Sequence, residues 1–100
     1  MTQPKVVVSR GARADLLAIE SFIAQASGEQ RAELVVARLR DSIRTLSYQP
    51  GIGKPRSYTV KGELAFPVDR WMIIYEPLPN LDGVYILRVV DGRRDLTNIL

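Results

Sequence analysis

Between Ala12 and Leu46 the sequence carries two amphipathic helical stripes with only Ser27-Gly28 to separate them. Helices joined so closely must fold back on one another as an antiparallel hairpin. In the first stripe Leu16, Ile19, Phe22, Ile23 and Ala26 recur at helical spacing, with Arg13, Asp15, Glu20 and Gln25 on other faces. Ser9 is placed to cap this helix, and Asp15 lies near its start, where a negative charge suits the helix dipole. Ser27-Gly28-Glu29-Gln30 has the S-x-x-Q form of a capping box for the second helix. Its apolar stripe is Ala32, Val35, Val36, Leu39, Ile43 and Leu46, while Arg31, Glu33, Arg38, Arg40, Asp41 and Arg44 occupy the remaining surface. Pro50-Gly51 and Gly53 end it.

Strand signals flank the hairpin. Lys5–Ser9 is a β-branched run, and everything after Gly53 reads as strand. Glu63–Val68 alternates weakly, with Pro67 marking an edge position or a bulge. Trp71–Tyr75 is nearly continuous in apolar residues, as a central strand is, with Trp71, Ile73 and Tyr75 on one face and Met72 and Ile74 on the other. Pro77 to Gly83 is a turn, and Val84–Val90 is a last long strand closed by Asp91-Gly92. The final eight residues either add a turn of helix or lie along the sheet. The expected fold is α+β in the order β-α-α-β-β-β, a helical hairpin packed on a small, curved, mostly antiparallel sheet. With 100 residues the chain has room for a single domain spanning 1–100.

The absences narrow the chemistry. There is no cysteine and no histidine, so thiolate chemistry, Ser-His and Cys-His hydrolysis and ordinary zinc sites drop out, and no cofactor is expected. No apolar run is long enough to span a membrane, and the first ten residues lack a secretory signal, so a cytoplasmic protein is expected. The net charge of +3 is spread evenly over the chain, unlike a basic nucleic-acid-binding arm. Arginine supplies 11 of the 14 cations, and arginine suits planar recognition of carboxylate or phosphate.

Three places could carry function. Gly51-Ile-Gly-Lys54-Pro-Arg56 superficially suggests a phosphate cradle, but it follows a helix and enters a strand, so it reads as a helix stop with two exposed cations. The Trp71/Tyr75 pair beside arginines admits base stacking by a single-strand binder, yet reads more simply as core or as the lining of a partner groove. At the end of the last strand Gly92 allows a tight turn, Arg93 and Arg94 project near the sheet edge, and Asp91 and Asp95 flank them and could hold the guanidinium groups. This third cluster is the best local candidate.

The string Ile86-Leu-Arg-Val-Val-Asp-Gly-Arg-Arg-Asp-Leu96 resembles the closing segment of ParE-type toxins in the RelE/ParE superfamily. Ala14-Asp15-Leu16 with Ile19 and Phe22, Pro50-Gly-Ile-Gly53 and Ile73-Ile74-Tyr75 resemble the same family in the same order. The resemblance covers nearly the whole chain. It implies the toxin of a type II toxin–antitoxin module, acting in ParE fashion by inhibiting DNA gyrase and blocking replication. RelE-like relatives instead cleave messenger RNA on the ribosome and need a proton carrier. Here Met72 stands where those relatives have a strand arginine, and no tyrosine follows Tyr85. On that alternative Lys54, Arg56, Arg93 and Arg94 would stabilise charge, and Glu63 or a displaced tyrosine, Tyr58 or Tyr75, would have to move the proton. Asp91 departs from the family, which usually has histidine at that place.

The resemblance also implies partners. A cognate ParD-like antitoxin is expected to wrap over the hairpin and sheet in a hetero-oligomer, contacting Phe22, Arg38, Arg44 and Trp71. Target engagement is assigned to Arg93, Arg94 and the tail through Leu100, with Arg88 and Lys54 secondary. No catalytic residue is assigned.

Overall fold

A computed structural model describes residues 3–100. Strand β1 (Lys5–Val8) is followed by α1 (Arg10–Ser27), α2 (Glu29–Tyr48), β2 (Leu64–Val68), β3 (Trp71–Pro77), a short 3-10 turn at Pro79–Leu81 and β4 (Gly83–Asp91). The four strands form one sheet in the order β1-β4-β3-β2. β1 pairs with β4 in parallel; the other two pairings are antiparallel. The α+β order and the mostly antiparallel sheet are those read from the sequence, and β3 is central as its apolar run requires.

Ser9 caps α1 as expected: its Oγ accepts the Ala12 N–H at 3.0 Å and donates to the Leu87 carbonyl at 2.8 Å. The capping box at Ser27 does not form. Ser27 is the last residue of α1, and Gly28 alone joins the helices, its N–H reaching the Ala24 carbonyl and its own carbonyl accepting the Ala32 N–H. At a φ of 92° the linker needs glycine, and a serine still inside the preceding helix cannot turn back to cap the next one.

The helical stripes face the sheet except at Phe22 and Ala26, which the end of α1 leaves exposed. Ala12, Ile19 and Ile23 of α1 and Ala32, Leu39, Ile43 and Leu46 of α2 pack on Val68, Trp71, Ile73, Tyr75, Val84, Ile86 and Val89. Leu39 and Leu46 are fully buried, each contributing about 1.5–3 kcal/mol of hydrophobic stabilisation. The other sheet face carries a smaller cluster: Ile74, Val90 and Leu96, with Tyr58, Met72, Leu87 and Ile99 packed against it. The C-terminal residues therefore lie along the sheet and add no helix.

Two differences from the sequence reading bear on function. Residues 55–63 form turns and not strand; only Lys54 reaches the sheet, through paired backbone hydrogen bonds to Ala65. Pro67 sits in edge strand β2 as expected. The irregularity in the sheet lies in β4, where Ile74 pairs with Arg88 but Tyr75 pairs with Ile86, leaving Leu87 as the extra residue. No glycine marks this bulge, so periodicity could not show it.

Candidate functional site

Arg88 follows the bulge and lies against the start of α1. β1 ends at Val8, so past Ile86 the edge of β4 away from β3 has no strand beside it, and α1 packs against β4 there. Arg88 is turned onto Asp15 of α1, its Nε and Nη2 donating to the two carboxylate oxygens at 2.7 and 2.9 Å. Asp15 also accepts the Val89 N–H at 2.9 Å, so the carboxylate serves as the missing strand partner. Asp15 is thus beyond the first turn of α1 and is no dipole partner. The carboxylate hydrogen bonds hold the Arg88 guanidinium charged above its ordinary range, against the opposing pull of burial. Among the proposed target-binding residues, Arg88 is committed to holding helix to sheet.

Arg93 and Arg94 lie past the end of β4. Gly92 makes the turn, its N–H bonded to the Arg70 carbonyl at 2.8 Å. Asp91 accepts from the Arg93 N–H at 3.0 Å, from Arg93 Nε at 3.2 Å and Nη2 at 3.1 Å, and from Arg70 Nη2 at 2.6 Å. These donors, Arg93 first and Arg70 next, hold the Asp91 carboxyl far below the usual carboxylate range. Asp95 does not share this duty: its carboxylate takes the Thr97 N–H and hydroxyl instead, which lowers its pKa. Arg94 is exposed and makes no ion pair among the described residues. Its side chain borders a cleft of about 320 Å³ on the outer sheet face, opposite Arg56 and Tyr58. Lys54 is exposed but lies outside that cleft's lining.

The residues assigned to the antitoxin separate into two groups. Phe22, Arg38 and Trp71 converge on one groove between the helical hairpin and the β2–β3 turn, with Leu34, Val35 and Arg70. Phe22 is 56% exposed and Leu34 61%, whereas Trp71 is buried. Arg38 Nε is bonded to Asp69 at 2.7 Å. Arg70 stacks on Trp71, 4.7 Å from the ring centroid, and lies 6.0 Å from that of Phe22. Arg44 belongs elsewhere: it borders a second groove of about 620 Å³ along β1, with Leu17, Ile43, Tyr48, Arg13 and Arg40. Arg70 was missed by the sequence reading. A two-residue reversal between β-runs beside Trp71 was the available signal.

The groups offered as proton carriers on the nuclease alternative have structural partners, with one exception. The buried Tyr75 hydroxyl donates to the Pro50 carbonyl at 2.7 Å and accepts the Gly53 N–H at 2.9 Å. Burial pushes its pKa up. Glu63 is buried and accepts the Lys61 N–H at 2.9 Å. Tyr58, the exception, has a sealed hydroxyl without a hydrogen-bond partner among the described residues. No group of metal-ligating side chains occurs among the described residues, and none of their helices is long and apolar enough to cross a membrane.

A search of curated proteins returned no match. Two solved structures share the fold. A chain of the chromosomal ParDE toxin–antitoxin system from P. aeruginosa superposes with a TM-score of 0.76 at 20% identity, covering 89% of this chain and 96% of that one. A chain of the RelBE2 toxin–antitoxin complex from Mycobacterium tuberculosis gives 0.61 at 22% identity, covering 90% and 99%. The sequence itself matches the family model described as the ParE toxin of the type II toxin–antitoxin system parDE over residues 6–96. With the helical hairpin, the four-stranded sheet and the arginine cluster past β4 in one continuous match, the chain belongs to the ParE toxin family of type II toxin–antitoxin systems.

Proposed function

We propose that this toxin acts by inhibiting DNA gyrase, blocking replication through a binding surface and without a catalytic step, and that a cognate ParD-like antitoxin neutralises it. The observation that carries the inhibitor reading over message cleavage is the engagement of the proton carriers. Tyr75 is bonded at both its lone pair and its proton, Glu63 is buried on the Lys61 N–H, Tyr58 is unpaired but has its hydroxyl sealed from solvent, and the chain has no histidine. A group so engaged has neither the freedom nor the access to move a substrate proton. The target-facing surface on this reading is Arg93, Arg94 and the adjoining tail, with Lys54 outside the cleft that Arg94 borders.

The antitoxin reading is supported by the groove at Phe22, Leu34 and Trp71, where exposed apolar side chains sit among Arg31, Arg38 and Arg70. An amphipathic segment with acidic residues matches that chemistry. Both structural relatives are chains of toxin–antitoxin assemblies.

A purified-gyrase supercoiling assay run beside a ribosome-dependent message-cleavage assay tests the reading. Inhibited supercoiling with accumulated cleaved DNA and intact message is the expected result. Cleaved message with unaffected gyrase overturns it, as does silence in both assays from folded protein.

A further inference from the structure

We propose that Arg70 couples the antitoxin groove to Arg93 through Asp91. An acidic segment that draws Arg70 into the groove leaves Asp91 paired with Arg93 alone and cancels the free positive charge past β4. The coupling rests on the antitoxin reading of the groove and does not need gyrase to be the target. Arg70 belongs to both places. Its guanidinium lies over Trp71 and borders the groove with Phe22, while its Nη2 donates to Asp91 Oδ2 at 2.6 Å. The same oxygen accepts Arg93 Nη2 at 3.1 Å, and Oδ1 accepts Arg93 Nε at 3.2 Å. One carboxylate is divided between two guanidinium groups, so the three side chains carry one positive charge in excess.

An acidic segment in the groove changes that division. Arg38 is engaged with Asp69, and Arg70 is the cation that lies over the Trp71 ring and faces that of Phe22. A carboxylate brought there under a docked segment is shielded from water, which strengthens its pull on the guanidinium. The Arg70–Asp91 pair, by contrast, is open to solvent and correspondingly weak. Once Arg70 turns to the segment, Asp91 neutralises Arg93, and the segment need not reach Arg93 to do so. The coupling requires aspartate at this place, where the chain departs from the family pattern. It also runs in both directions: whatever frees Arg70 from Asp91 favours occupation of the groove.

The intact chain, labelled with ¹⁵N, reports the exchange through the Arg93 backbone amide, which donates to Asp91 Oδ1 at 3.0 Å, and through Arg93 Nε–H. Spectra are taken with and without the purified antitoxin. Both Arg93 signals should move on antitoxin binding, and in free Arg70→Gln they should already stand where the parent complex puts them. Asp91→Asn, which frees Arg70 in advance, should tighten antitoxin binding about two- to fivefold. The same substitution in an Arg70→Gln background should lose that gain. A loss of stability alone would weaken binding in Asp91→Asn, so the sign of the change separates coupling from a merely structural role. Antitoxin affinity unchanged or weakened in folded Asp91→Asn, or a gain that persists without Arg70, overturns the proposal. So do Arg93 signals in free Arg70→Gln that match those of the free parent chain. Leu34→Ser trims the groove and leaves the three charges in place. Parental antitoxin affinity in that variant overturns the groove reading and the coupling together, whereas weakened affinity with Arg93 signals that stay still in the parent complex overturns the coupling alone.

Discussion

Asp15 and Arg88, 73 residues apart in sequence, join α1 to β4 through two side-chain hydrogen bonds, and the same carboxylate accepts the Val89 N–H. The contact stands where β1 has run out, so one side chain closes an open strand edge and neutralises a partly buried guanidinium. Asp15→Ala removes both partners at once and should lower stability by about 2–3 kcal/mol. Asp15→Asn keeps an acceptor for Val89 and should cost less. For a domain of this size the first figure corresponds to a fall in Tm of roughly 8–20 °C, measurable by circular dichroism. A melting temperature unchanged in Asp15→Ala would remove the structural role assigned to Arg88.

A second brace joins the loop after α2 to the sheet. Tyr75 satisfies the Pro50 carbonyl and the Gly53 N–H, and a Cβ at Gly53 would stand 2.6 Å from its hydroxyl oxygen. Tyr75→Phe should cost about 1–3 kcal/mol by leaving two buried backbone groups unpaired. Gly53→Ala forces the ring or the loop to move and should cost at least as much. Urea denaturation midpoints report both, and a Tyr75→Phe midpoint equal to that of the parent chain would show the loop is held by other means.

The layout of the chain was legible because it rests on periodicity: the two helical stripes, the β3 run and the facing of Trp71, Ile73 and Tyr75 all follow from spacing. What was not legible depends on contacts between distant residues. Asp15 reads as a dipole partner until β1 is known to stop short of it, and Arg88 reads as a free cation until α1 is known to bring Asp15 against it. The arginine cluster was visible as residue types, but which carboxylate holds it was not: Asp91 binds Arg93 and recruits Arg70 from another turn, while Asp95 turns to Thr97. Tyr58 carried no pattern at all, since its significance is an unpaired hydroxyl.

Acid sensitivity should trace in part to Asp91. Its carboxyl is depressed by Arg93 and Arg70 in the folded protein, whereas in the unfolded chain it returns to about 3.9. The unfolded state then binds more protons in the window below that value, so the contribution is fully present above about pH 5 and is lost as pH falls toward the lower folded pKa. Stability measured by denaturant between pH 2 and 6 should therefore fall less steeply in Asp91→Asn than in the parent chain. Parallel pH profiles for the two proteins would show that Asp91 is not coupled to folding.

The tail separates target binding from folding only when it is altered side chain by side chain. If residues 93–100 served target engagement alone, deleting them would abolish toxicity and keep antitoxin binding. Leu96 is buried against Ile74 and Val90, and Ile99 packs beside it, so that deletion also strips the outer face of the sheet. Leu96→Ala alone should cost about 2–5 kcal/mol, and the deletion should weaken antitoxin binding together with stability. Arg93→Gln and Arg94→Gln leave that packing untouched. Arg94→Gln, which breaks no ion pair, should keep stability within about 0.5 kcal/mol and antitoxin affinity within twofold, while gyrase inhibition falls about tenfold. Undiminished inhibition by a double Arg93→Gln/Arg94→Gln variant of parental stability would move the target-facing surface away from the end of β4.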